Sequence, residues 1–325
     1  MIRRALLFTI AFAFGVGIID SLADQAKGVR TVGILALSAS PTDPIVGALR
    51  QELHNLGYVE GRSIKFEFRT AQGHPNRLPR LAEELIQLKV DVIVVGNSVV
   101  AQAVRQATAT IPIVMVTTDP VASDLVTSLA HPAGNITGLS AMTKELTAKR
   151  LELLKETVPT LVRVAVLWNP DSPMEAQIAE ELKAAARPLS LELHFVGLRT
   201  REEIGAASSA ISRAHAKAMY VTDDGLFYGQ RTTVGALASK ARLPAIYGSR
   251  LYAEDGGLIS YGVDYVDQWR RSAAYVDKIL KGAKPGDLPI EQATTIELVV
   301  NLKTARALGI SIPTSILERA NKLIE

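Results

Sequence analysis

The 325-residue chain contains no cysteine. That absence excludes a disulfide framework, a thiol nucleophile, a thiolate metal site and a lipid-modified cysteine behind a leader. A surplus of one charge is also lacking. The 36 Lys+Arg against 33 Asp+Glu leave a formal +3, with no basic cluster interleaved with aromatics, so nucleic acid is not an expected partner. His54, His74, His131, His194 and His215 are scattered without ligand spacing. The metalloprotease, Walker A and G-x-S-x-G signatures are missing, and the one dinucleotide-like pair, Gly15-Val16-Gly17, falls in the first 26 residues. No catalytic group, metal or cofactor is therefore expected. Long apolar runs are confined to the N-terminus, where Arg3 and Arg4 precede an apolar stretch over 5–19 and small residues follow over 21–26. This reads as a cleaved signal peptide over 1–26, because an apolar run of about 15 residues falls short of the roughly 20 that span a bilayer. The mature chain is expected in an exported space, the periplasm.

What is present is a half-chain echo. Apolar runs over 29–37 and 162–168 both enter Ser/Pro-containing loops, the run over 90–96 is answered by 218–222, and that over 111–117 by 243–248. Short apolar strands separated by helix-length stretches build parallel sheets from βαβ units. The fold class is α/β, with two similar doubly wound parallel-sheet lobes joined by a hinge. Lobe 1 takes 29–141 plus the region near 263–285, and lobe 2 takes 142–262 plus the region near 286–325. Ile64, Phe66 and Phe68 alternate with Lys65, Glu67 and Arg69 as in an edge strand, and Gly57 is expected to cap a helix in the left-handed conformation. Further helices are expected over 76–89, 97–108, 174–187, 201–215, 228–241 and 265–280, with a long one beginning at Met142-Thr143. The tail reads as a helix over 302–308, a stop at Gly309, a break at Pro313 and a last helix over 315–324.

In open α/β lobes a ligand lies beyond the carboxyl ends of the strands, at helix N-termini. Ser40, Asn97, Ser98, Thr118 and Asp119 follow strands of the first lobe, and Asn169, Asp224, Gly248 and Ser249 follow strands of the second. Such residues are candidate ligand contacts, and equally ordinary helix caps. Ser98 and Thr118 suit a carboxylate. Asp119, before Pro120, also fits a turn. Asp223-Asp224 can receive an ammonium, hold a metal, perform acid/base chemistry or cap the next helix. Tyr261 and Asp264 flank a hinge turn, either closing over ligand or packing there. Trp168, Tyr220, Phe227, Tyr228 and Tyr247 are candidates for a stacking wall, Tyr220 lying within a strand.

Gly57-Tyr58-Val59-Glu60-Gly61, Ala71-Gln72-Gly73, Thr118-Asp119-Pro120-Val121, Gly134-Asn135-Ile136-Thr137-Gly138, Tyr261-Gly262-Val263-Asp264 and Ile279-Leu280-Lys281-Gly282 occur in order. Together they resemble the ABC-transporter substrate-binding protein family of the tryptophan/tyrosine-binding type. The resemblance covers essentially the whole mature chain. It implies a type I periplasmic-binding-protein fold and a monomer that binds a small polar or aromatic ligand, of amino-acid or carboxylate type, between its lobes. It also implies delivery of that ligand to an ABC permease with its cytoplasmic ATPase, and no reaction on the ligand. Asp224 falls on the family's cleft-facing acidic position. Where aromatic-amino-acid binders carry an acid after the strand over 243–248, this chain has Ser249-Arg250, which disfavours an ammonium and favours an acidic ligand unless Arg250 is a rim residue. A ligand sensor docking on a membrane receptor, and a secreted α/β enzyme using Asp223 or Asp224, are the alternatives.

Overall fold

The computed structural model describes residues 28–141, 144–172 and 174–325. The expected leader and the start of the long helix at Met142-Thr143 lie outside the described residues. The first lobe opens with β1 (Arg30–Ala36), α1 (Pro44–Asn55), β2 (Ile64–Thr70), α2 (Leu78–Gln87), β3 (Val92–Val95), α3 (Ser98–Ala107), β4 (Ile113–Thr117) and β5 (Ile136–Ser140). α4 (Lys144–Thr157) leads into the second lobe. There β6 (Arg163–Trp168), α5 (Glu175–Ala186), β7 (Glu192–Gly197), α6 (Arg201–Ala206), α7 (Ser208–Arg213) and β8 (Ala218–Val221) follow. α8 (Gly225–Gly229), α9 (Arg231–Lys240), β9 (Ala245–Tyr247), α10 (Arg250–Glu254) and β10 (Ile259–Val263) complete that run. α11 (Tyr265–Leu280) returns to pack on α1, and β11 (Glu291–Gln292), β12 (Ile296–Asn301), α12 (Leu302–Leu308), α13 (Thr314–Arg319) and β13 (Lys322–Ile324) close the chain.

The sheets run β11-β5-β4-β3-β1-β2 and β13-β12-β10-β9-β8-β6-β7. Every pairing of the first is parallel, with Ile34 of β1 in register with Phe68 of β2 on one side and Val94 of β3 on the other. Val92–Val95 is buried throughout, as a strand covered on both faces by helices must be. β2 sits at the edge, where its alternating charges reach water. α1 ends in a Schellman motif: Gly57, at φ +95°, donates its N–H to the His54 carbonyl, and Tyr58 donates to the Leu53 carbonyl.

Several boundaries differ from the sequence reading. The helix expected over 201–215 is split into α6 and α7 at Ala207, and that over 228–241 begins earlier, at Gly225, and breaks at Gln230. The chain stays with the first sheet until Ala293, whose N–H donates to the Ser140 carbonyl, and crosses at 294–295 rather than near 286. β12 then pairs antiparallel with β10. The last helix stops at Arg319, not at 324. Asn321 locks onto Leu298 through both its N–H and its Oδ1, turning 322–324 into an edge strand parallel to β12.

Three segments join the lobes, one after each of β5, β10 and β11. Ala141, Leu146, Val263 and Ala293, drawn from all three, form a small apolar cluster with Tyr261 and Tyr265 at the hinge. On the far side of the cleft the lobes touch. Leu35 and Leu37 share one buried cluster with Leu226 and Phe227, and an ideal Cβ on Gly229 would lie 2.0 Å from the Ser38 Cβ. No helix among the described residues is long and apolar enough to cross a membrane.

Candidate functional site

A cavity lies between the lobes, at the carboxyl ends of β1, β3 and β4 on one side and of β6, β8 and β9 on the other. The first wall is built by helix-entry chemistry. Asn97 is extended at the N-cap of α3, and its Oδ1 accepts the Val100 N–H at 2.9 Å. The N–H groups of Ser98 and Val99, one residue on, have no intrahelical acceptor by helix geometry, and both residues face the cavity. Ser98 is buried, its Oγ 3.2 Å from that of Ser123. Thr117, Thr118 and Ser38 add hydroxyls. α11 contributes Tyr265 and Trp269, and no Asp, Glu, Lys, Arg or His of the first lobe is among the described residues lining the cavity.

The second wall carries three carboxylates, Glu175, Asp223 and Asp224. Asp224 caps α8, its Oδ1 accepting the Leu226 N–H at 2.8 Å and the Asn169 amide at 3.3 Å. Burial raises its pKa against the lowering effect of these bonds and of one from Ser172. Asp223 meets Arg150 of α4 at 2.7 Å, the two side chains 8% and 2% exposed. Burial opposes the Arg150 charge, but Asp223 and Tyr220 outweigh it and hold the guanidinium above its ordinary value. Arg150 Nε also donates to the Tyr261 carbonyl at 2.6 Å, tying the hinge end of β10 to the cavity. Gly248 makes room for the pair, since an ideal Cβ there would lie 1.6 Å from Asp223 Oδ1. Tyr228 and Tyr252 complete an aromatic surround with Tyr265 and Trp269, and Ile45, Met174 and Ile178 add apolar lining.

At the rim the lobes are clamped. Asp43 of the first lobe accepts the Tyr228 hydroxyl at 3.1 Å and Arg231 Nη1 at 2.8 Å, and Arg231 also meets Asp255 at 2.7 Å. Burial, then the Asp43 charge, pushes the Tyr228 hydroxyl well above its ordinary pKa.

The structure brings Asn97, Ser98, Thr118, Asp224 and Ser249 to the cavity wall. The other candidates stand back from it. Ser40 is exposed, its hydroxyl 3.1 Å from that of Thr42. Asp119 forms a turn, accepting the Ala122 N–H at 3.0 Å. Asn169 is buried behind Asp224 and positions it. Gly248 acts by lacking a side chain. Tyr261 packs in the hinge cluster, and Asp264 caps α11 through the Val266 and Asp267 N–H groups. Arg250 is held by Glu254, Asp264 and Glu297 at 3.0, 3.4 and 3.5 Å, so its charge is met within the protein and it offers no fork to an acidic ligand. Of the aromatic candidates Tyr228 alone lines the cavity; Tyr220 and Trp168 belong to the core of the second lobe, Phe227 to the cluster between lobes, and Tyr247 stacks on Tyr252 at 4.5 Å.

Sequence reasoning missed Arg150 and Glu175, and with them Tyr252, Tyr265 and Trp269 of the aromatic surround. Arg150 sits in a helix with ordinary charged neighbours, and Glu175 in a first helical turn, where an acid is expected for the dipole alone.

Residues 32–324 match the family described as ABC transporter substrate binding protein. The tyrosine-binding protein of Clostridioides difficile (strain R20291) is 28% identical over 286 residues, 87% of this chain and 82% of that one. The ABC domain in complex with L-Trp from Streptococcus pneumonia is 26% identical, covers 91% of this chain and all of its own, and superposes with a TM-score of 0.81. The ligand-free, open structure of a substrate binding protein with adhesive properties from Clostridium difficile has the same 26% identity and covers 91% of this chain and 99% of its own, yet its TM-score is 0.61. At equal identity the chain superposes better on the L-Trp complex than on the open form, in keeping with the contacts that close its cleft. A match running from β1 to β13, on two parallel-sheet lobes facing one cavity, identifies the chain as a member of the ABC transporter substrate-binding protein family.

Proposed function

We propose that this chain is the periplasmic substrate-binding component of an ABC importer and that its ligand is a single amino acid with an aromatic or large apolar side chain. One observation carries the reading: the two cavity walls have opposite character. A carboxylate fits the first, where the Asn97-Ser98 entry of a ten-residue helix presents N–H groups and hydroxyls with no competing acid. An ammonium fits the second, with Asp224 and Glu175 in reach of the same space. The surround of Tyr228, Tyr252, Tyr265 and Trp269 suits a ring. The tyrosine-binding relative and the L-Trp complex support this ligand class. The sequence-based preference for an acidic ligand rested on Arg250, and that side chain is engaged by three carboxylates.

The protein binds without chemistry. Asp223 is paired with Arg150 and Asp224 is engaged as a cap, which leaves the enzyme reading no activated nucleophile. In this account residues 1–26 direct export, the mature chain works as a monomer, and closure over ligand presents the two lobes to a permease served by a cytoplasmic ATPase. The test is a thermal-unfolding and X-ray scattering screen of the mature chain against the twenty protein amino acids. The reading predicts stabilisation and compaction by an aromatic or large apolar one, recovered unchanged. Silence across the set, or turnover abolished by Asp224→Asn, would overturn it.

A further inference from the structure

Glu175 opens α5, faces the cavity and is 2% exposed. Its Oε2 has no hydrogen-bond partner among the described residues. The charges that face it are both negative, Asp224 and Asp223 on the loop after β8, while the polar groups beside it are the Thr222 side chain and the Asn169 backbone. Arg150, the cation paired with Asp223, is engaged there at 2.7 Å. From the remaining elements around the cavity, the titratable side chains among the described residues are the phenols of Tyr228, Tyr252 and Tyr265. A carboxylate so placed is nearly withdrawn from solvent and, among the described residues, has no counter-ion and no donor for its Oε2. Burial first, and Asp224 second, raise its pKa well above the carboxylate range, against the lowering effect of Thr222 and Asn169.

We propose that Glu175 is the amine-sensing group of the cleft: it carries a proton while no amine is bound and releases that proton to solvent when a ligand ammonium takes its place. The inference rests on the amino-acid reading of the ligand and adds to it a proton balance. Glu175–COOH and ligand–NH₃⁺ become a Glu175–COO⁻ and ligand–NH₃⁺ ion pair, with one H⁺ passing to water. An ammonium supplies what the site lacks, a positive charge and donors for the free Oε2. Two consequences follow from linkage. The association constant rises with pH by up to about tenfold per unit while the free protein keeps the proton, then levels off. A ligand of the same shape without the amine binds with no proton release, because Glu175 stays neutral beside it.

The experiment is isothermal titration of the mature protein with L-tyrosine and with its desamino analogue, 3-(4-hydroxyphenyl)propionate, at pH 6, in buffers of different ionisation enthalpy. Wild type is expected to release close to one proton per L-tyrosine and none with the desamino analogue. Glu175→Gln, which replaces a neutral acid by a neutral amide of the same shape, is expected to abolish the release and to match the wild-type unfolding midpoint of the ligand-free protein at pH 4, where the acid is neutral in the folded and the unfolded chain alike. It should weaken L-tyrosine at pH 8 by about tenfold or more while leaving the analogue within about twofold. L-tyrosine binding to wild type without proton release, or equal release from Glu175→Gln, would overturn the role of Glu175 and leave the amino-acid reading standing. Should neither L-tyrosine nor any other protein amino acid bind, the reading and the inference fall together.

Discussion

The two walls of the cleft are made from the same architectural unit, a helix entered from the end of a parallel strand, yet they differ in sign. On the first wall the ten-residue α3 keeps its N-terminal N–H groups toward the cavity, and Asn97 caps it from one side. On the second, the five-residue α8 and α10 have entries closed by Asp224 and Ser249, which accept the Leu226 and Leu251 N–H groups. Asp223 and Glu175 add further negative charge. Two lobes of like fold would otherwise both favour anions. Side chains alone reverse one of them, so the pair suits a ligand with a carboxylate at one end and an ammonium at the other.

The largest effect is expected from removing Arg150, the cation that balances Asp223 on the second wall. Arg150→Met leaves Asp223 buried and unpaired, and should cost about 3–5 kcal/mol of stability by chemical denaturation. Adding Asp223→Leu to it should recover most of the loss, which separates an orphaned charge from a packing defect. Next comes the second wall's grip on ligand. Asp224→Asn keeps an oxygen to cap α8 but removes the charge, and should weaken an amino acid by roughly 1.5–3 kcal/mol in calorimetry with little change for its desamino analogue. The first wall is expected to give less. Ser98→Ala removes one hydroxyl of several donors, and should weaken the amino acid by about tenfold or less while leaving its methyl ester nearly unaffected.

The second wall also sets the pH profile of the empty protein. A folded-state pKa above the unfolded one means that the folded state binds more protons. The stabilisation from neutral Glu175 is therefore full below the ordinary carboxylate range and is lost as pH rises toward its raised value. Urea midpoints between pH 4 and 8 should show this decline in wild type and a flatter profile in Glu175→Gln. The smallest effect belongs to Arg250→Ala. Its partners are three carboxylates outside the cavity wall, so ligand affinity should stay within about twofold.

Much of the fold was legible because buried parallel strands announce themselves. Runs such as Val92–Val95 and Ile113–Thr117 are short, apolar and flanked by helices with regular caps. β12 was not legible. Its run stands outside the βα repeat and pairs antiparallel, a relation set by β10, its neighbour in the second sheet, rather than by local sequence. β13, three residues at a sheet edge, is fixed by Asn321 on Leu298, a contact with no local signature. For the site, strand ends told which loops converge, but not which side chains turn inward. Ser98 and Ser40 follow strands alike; one is buried at a helix entry and the other meets Thr42 at the surface. Arg150 and Glu175 carry charges that sequence reading assigns to water. Their burial comes from the interlobe helix and from the loop after β6, tertiary placements that helical spacing does not encode.

The division of ligand charge between the walls is tested most directly by titrating wild type, Ser98→Ala and Asp224→Asn with L-tyrosine, its methyl ester and its desamino analogue. Both derivatives should bind wild type about tenfold or more weakly than L-tyrosine. The ester's deficit should shrink in Ser98→Ala only, and the desamino analogue's in Asp224→Asn only. Equal affinity of wild type for L-tyrosine and either derivative, or a deficit that shrinks equally in both variants, would contradict the account.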